Sequence, residues 1–174
     1  MVKKINKFLS LLLVLLVMSV TVGPAMARAA GVPDDVYAVP GSKTMVIVMT
    51  IGSKVIKIDN MEGAIDAGPE IKWDRTFAPI SPIINALGGT IDWNAKNRTV
   101  TIVLGKKTIV LMIGKNYAWI NENRVYIDAN RDLVPYIQAP GRTMLPVRFI
   151  AEQLGAFVMW NPSLQRVTMV FTKP

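Results

Sequence analysis

The side chains able to do chemistry in this sequence are acidic, basic and aromatic, because its 174 residues include no His and no Cys. That double absence removes the usual zinc site, the Ser-His-Asp and Cys-His nucleophiles and any disulfide. Five carboxylates, Asp59, Glu62, Asp66, Glu70 and Asp74, fall close together in the chain. Two of them facing each other could act as general acid and base, but no motif fixes such a pair, and solvated turns are the plainer expectation. The Asp-x-Asp-x-Asp-Gly pattern of a calcium loop is missing from them. Met45, Met49, Met61, Met112, Met144, Met159 and Met169 lie mostly in apolar runs, where core filling fits better than thioether binding of Cu(I). No catalytic residue, metal ligand or cofactor is expected.

Arg75 and Arg142 each stand shortly before a helix-like segment. A guanidinium with five donors can tie backbone carbonyls at a loop crossing, and that role is expected over anion capture. Arg148 can pair with Glu152 at i+4, a weak bond if exposed. Trp93 and Trp160 adjoin strand-like runs and are expected at or near the core. Trp73, Tyr117 and Trp119 are the candidates for surface ligand contact, since an exposed Trp with Tyr117 or Tyr126 nearby could stack on a sugar ring of a wall polymer. The competing expectation is partial burial at an internal junction.

The formal charge is +8, from 20 Lys+Arg against 12 Asp+Glu. The lysines are dispersed, with Lys43, Lys54, Lys57, Lys72, Lys96, Lys106, Lys107 and Lys115 never forming a run beyond two. Dispersed charge argues against nucleic acid and allows adhesion to an anionic wall polymer or membrane.

These side chains sit on a chain with a distinct start. Lys3, Lys4 and Lys7 precede an apolar run from Phe8 to Val22, then Gly23-Pro24 and Ala25-Met26-Ala27. A basic start, a short apolar run and small residues around a cleavage point describe a secretory signal peptide over 1–27. A retained anchor would want about 20 apolar residues. A second cleavage triplet, Ala27-Arg28-Ala29, follows. Without the three signal lysines the charge over residues 28–174 is +5. The product is expected to be secreted or held at the cell surface, with membrane contact only through the signal before cleavage. Residues 28–44 read as an extended leader.

The remainder reads twice. Ile71 to Ile80 recurs as Gln138 to Val147, Leu87-Gly88 as Leu154-Gly155, Trp93-Asn94 as Trp160-Asn161 and Val100-Thr101 as Val167-Thr168. Upstream, Ile51-Gly52 matches Ile113-Gly114 at a smaller offset, so the second copy carries five extra residues, placed near Asn130 to Val134. Val147, Ile150, Ala151 and Leu154 form one apolar stripe of a short helix, as do Ile80, Ile83, Ile84 and Leu87. Pro82 suits a first helical turn, and Gly88 and Gly155 suit the stop. Strand-like runs flank each helix, with Asn121-Glu122-Asn123 as a hairpin turn. The expected fold class is α+β: two related β-rich repeats, 45–107 and 108–174, with antiparallel sheets each carrying one short helix.

The string Gly141-Arg142-Thr143-Met144-Leu145-Pro146-Val147-Arg148, followed by a helix ending in Leu154-Gly155 and then Trp160, resembles the copper amine oxidase N-terminal-like domain, also called the stalk domain. Arg75, Thr76, Pro79, Leu87, Gly88 and Trp93 give the same motif earlier in the chain, with Asp74 where Gly is usual and Ser81 where Arg148 stands. The resemblance covers roughly residues 45–172 and implies two tandem copies after a signal peptide. It also implies a non-catalytic part, because in the amine oxidases copper and the tyrosine-derived quinone belong to a separate large domain. Copper there is held by three His, and the quinone precursor lies in an Asn-Tyr-Asp/Glu setting, whereas here Asn116-Tyr117 precedes Ala118.

The function expected is a non-catalytic, cell-wall or cell-surface binding module whose partner is an anionic wall polymer or another exported protein. The alternative is a secreted hydrolase or inhibitor in wall remodelling. An acid pair in a cleft would favour hydrolysis, and a protruding loop at 130–134 would favour inhibition.

Overall fold

A computed structural model describes residues 43–172. The expected signal peptide and nearly all of the expected leader lie outside the described residues.

Among the described residues fourteen strands and two short helices run in the order β1 (Thr44–Thr50), β2 (Val55–Ile58), β3 (Met61–Ala64), β4 (Glu70–Lys72), β5 (Arg75–Ala78), α1 (Ser81–Ala86), β6 (Thr90–Asn94), β7 (Thr99–Leu104). Then follow β8 (Lys107–Met112), β9 (Tyr117–Ile120), β10 (Asn123–Tyr126), β11 (Tyr136–Gln138), β12 (Arg142–Pro146), α2 (Val147–Gln153), β13 (Phe157–Asn161) and β14 (Arg166–Thr172). The expectation of antiparallel, β-rich structure with two helices holds. The protein is mainly β, because the two helical stripes extend over only six and seven residues.

The strands form three sheets, ordered β13-β14-β1-β2-β3, β6-β7-β8-β9-β10 and β4-β5-β12-β11. The two five-stranded sheets share one plan: a hairpin, a central long pair, then a second hairpin. In one sheet the central pair is β7–β8, joined by a two-residue turn. In the other it is β1–β14, with Thr44 opposite Thr172 and Thr50 opposite Arg166, so the two ends of the described chain lie side by side. The four-stranded sheet is joined at its centre by β5 and β12, where Phe77 faces Pro146 and Ala78 faces Leu145.

Alternation explains the layering. Val100 and Ile102 on β7, and Ile109 and Leu111 on β8, are buried, while the residues between them are partly open. On β1 and β14 the inward pairs are Met45–Phe171, Ile47–Met169 and Met49–Val167. These side chains join Phe77, Ile84, Met144, Leu145 and Ile150 in one hydrophobic core. Pro82 sits in the first turn of α1 as expected. Gly88 and Gly155 follow the helices at φ 76° and 88°, a left-handed stop where a side chain would be strained.

Two similar connections differ in length. Backbone bonds from Gly52 N–H to the Pro69 carbonyl and from Gly114 N–H to the Pro135 carbonyl bracket two spans, the second four residues longer. The turn that follows is Trp73-Asp74 in the first case and Ala139-Pro140-Gly141 in the second. That turn also accounts for Asp74 in place of Gly. Trp73 and Asp74 lie at φ 51° and 57°, as a tight two-residue hairpin needs, whereas Gly141 lies at φ 124°.

Candidate functional site

The conserved-looking string and its earlier counterpart converge on two clefts built alike. The larger, of about 600 Å³, is lined by Arg75, Asp128, Arg148, Glu152 and Trp160 over an apolar floor that includes Leu133. The smaller, of about 470 Å³, presents Arg142, Asp66, Ser81 and Trp93 in the corresponding places.

Each cleft is closed by an ion pair between distant parts of the chain. Arg75, at the start of β5, donates from Nε to Asp128 Oδ2 at 2.9 Å, just beyond β10. Arg142, at the start of β12, reaches Asp66 Oδ2 at 2.7 Å, just beyond β3. The two bonds are reciprocal, each half of the sequence giving one Arg and one Asp. Arg75 also donates to the Asp74 carbonyl at 3.1 Å. The expectation that both guanidinia mainly serve backbone carbonyls is therefore corrected to carboxylates, which sequence distance hides. Asp66 and Asp128 recur at the spacing of Ile51-Gly52 and Ile113-Gly114, the signal that could have found them.

The two pairs differ in exposure. The Asp128 side chain is 16% exposed and that of Asp66 is 68%. Asp128 is held below the ordinary carboxylate range by the Asn130 N–H, which donates to Oδ1 at 2.9 Å, and then by Arg75. Arg148 bonds Glu152 at 3.3 Å, the expected i+4 pair, and also the Val158 carbonyl at 3.3 Å. Ser81 cannot make that tie. Of the three carboxylates lining the larger cleft, Asp74, Asp128 and Glu152, the last two are each engaged by an arginine.

Of the other acidic candidates, Asp59, Glu62 and Glu70 have separate partners. Asp59 accepts the Val46 N–H at 2.8 Å, and Glu62 pairs with Lys57 at 3.0 Å. Glu70 accepts Tyr136 Oη–H and the Gln138 amide. Burial, reinforced by that carboxylate, pushes the Tyr136 phenol above its ordinary pKa. Among the described residues no group of three His, Cys, Asp or Glu could hold a metal ion, and no helix is long and apolar enough to cross a membrane.

The aromatic candidates separate. Trp73 is half-buried on the four-stranded sheet, 5.7 Å from Phe77 and 6.1 Å from Tyr136, ring centre to ring centre. Tyr117 and Trp119 lie together on β9, edge to face at 5.0 Å. Trp160 packs half-buried on the core as expected. Trp93 does not: it is 41% exposed, although β6 and the β13 strand of Trp160 are edge strands alike. Of the remaining motif residues, Leu87 and Leu154 pack on the core margin, and Pro79, Thr143 and Pro146 line the clefts.

Sequence reasoning missed how the segment at 128–135 is anchored. Leu133 is fully buried, and Asn116 Nδ2 donates to the carbonyls of Asn130 and Leu133, both at 2.7 Å. Residues 129–132 are exposed, and the segment is fastened at its far end by Leu133.

Residues 57–169 match the family model described as copper amine oxidase N-terminal domain. No curated protein and no solved structure matches the chain.

Proposed function

The chain belongs to the copper amine oxidase N-terminal domain family, and from that premise we propose that it is an exported binding module that adheres to an anionic polymer of the cell wall or surface. The matched domain is the non-catalytic N-terminal domain of those enzymes, and no catalytic domain is evident in these 174 residues. The observation that carries the reading is the pairing of three of the five cleft carboxylates. Asp66, Asp128 and Glu152 are held by Arg142, Arg75 and Arg148, while the chain keeps an excess of basic side chains for an anionic partner.

Within this reading the fold is two tandem copies of one unit that exchange strands. Support comes from the shared plan of the five-stranded sheets, the reciprocal Arg–Asp pairs and the matched bonds Asp59 to Val46 and Asn121 to Thr108. Export is supported by the basic, apolar and small-residue order of residues 1–27.

The test is sedimentation of the purified protein with isolated wall fractions at two salt concentrations. Retention on an anionic fraction at low salt and release at moderate salt is the expected result. Binding to no fraction at either concentration refutes the proposal.

A further inference from the structure

The outer face of the β6–β10 sheet carries side chains that the fold does not require. Ala118 points inward and is fully buried, so its neighbours Tyr117 and Trp119 point outward. Across the strands Tyr117 faces Tyr126, and Trp119 faces Arg124 on one side and Val110 on the other. The Arg124 guanidinium carbon lies 4.9 Å from the Tyr117 ring centre and 5.6 Å from that of Tyr126, and Arg131 lies 3.7 Å over Tyr126. Arg124 also donates to Tyr126 Oη at 3.2 Å.

The other five-stranded sheet supplies a control. In the same place of the same strand order, Lys57 faces Glu62 and the two are bridged at 3.0 Å, with Val55 opposite Ala64. That sheet forms without an aromatic cluster, so the cluster on β9 and β10 answers another need. Arg124 and Arg131 have no carboxylate partner among the described residues. Stacked on tyrosine rings, they are pre-ordered while their N–H forks remain available for an anion. Beside Trp119 runs a shallow groove of about 840 Å³ lined also by Lys106, Thr108 and Val110. Glu122 is the one acidic residue lining it, against Lys106; Arg124 stands opposite Trp119, and Arg131 lies farther along the strands, over Tyr126.

We propose that this face binds an anionic polysaccharide, with a pyranose ring stacked on Trp119 in the groove and ring carboxylates held by Arg124, Arg131 and Lys106. The assignment rests on the surface-adhesion reading above and gives it a location. An aromatic plane takes the apolar face of a sugar, and forked guanidinia take carboxylates two oxygens at a time. A structureless polyanion would use the charges and have no use for Trp119.

The probe is sodium polygalacturonate, with poly-L-glutamate and neutral dextran as controls, measured by titration calorimetry on the purified protein. Trp119→Ala is expected to weaken polygalacturonate binding about tenfold or more, leave poly-L-glutamate binding unchanged and leave the melting temperature near its original value. The double variant R124Q/R131Q is expected to weaken binding to both polyanions, and it keeps the test open if W119A does not fold. Equal polygalacturonate affinity for W119A and the unaltered protein overturns the site while leaving charge-driven adhesion standing. A protein dimer in light scattering that W119A abolishes assigns the face to a second copy and also overturns it. Binding neither to polygalacturonate nor to any wall fraction removes both proposals together.

Discussion

The two clefts have the same ion pair in the same place, yet the chain reaches them by different routes. After β3, the short stretch Asp66 to Pro69 crosses directly, and a Cβ on Gly68 would stand 2.7 Å from the Gly52 carbonyl carbon. After β10 the stretch Asp128 to Pro135 is longer, and it fills space with Leu133 and bonds to Asn116. One connection is held by the closeness of two backbones, the other by a buried side chain and a buried amide. The longer one also shields its aspartate and carries Arg131 to the aromatic face. The longer connection thus goes with the more enclosed cleft and the shorter one with the open cleft.

The largest break in this contrast is Leu133→Ala. Removing a fully buried leucine costs about 3 kcal/mol, read as a lowered denaturant midpoint. The change Gly68→Ala attacks the short connection, where a backbone has to move, and about 2 kcal/mol of destabilisation is expected. If G68A were neutral, the close approach would not be what holds that stretch. Asn116→Ala should cost about 1 kcal/mol by leaving the buried Leu133 carbonyl without its donor, while the Asn130 carbonyl keeps the Leu133 N–H. The corresponding Lys54→Ala is expected to change the midpoint little.

The ion pairs give a pH arm. Asp128 has a folded-state pKa below its unfolded value, so its contribution is present above the unfolded pKa and is lost as pH falls through the folded one. Asp128→Asn should therefore lower stability at neutral pH and reduce its loss as the pH falls below the ordinary aspartate value of 3.8. The smallest effect is expected for Arg142→Gln. Its pair with Asp66 is exposed on both sides, and a change of about 0.3 kcal/mol is the size such pairs show. A larger loss for R142Q than for R75Q would reverse the assignment of the open and enclosed clefts.

Much of the local structure was legible. The stripes at Ile80–Leu87 and Val147–Leu154 gave the helices, and alternation gave the strands, because period and burial are coupled within one element. Trp93 and Trp160 occupy matching edge strands yet differ in burial, a difference their local sequence does not show. Arg75 and Arg142 were given backbone partners because Asp128 and Asp66 are remote in the chain. Trp73 was grouped with Tyr117 and Trp119 by residue type, although it belongs to another sheet.

What the sequence determined by itself is the chemistry excluded by zero His and zero Cys, the short amphipathic segments and the turns, all fixed by residue type and near neighbours. Tertiary structure decided which strands pair across the chain. It brought Thr44 beside Thr172 and Arg75 to Asp128, and it set Arg131 over Tyr126. Those outcomes depend on long-range register and shared burial, which no window of sequence contains.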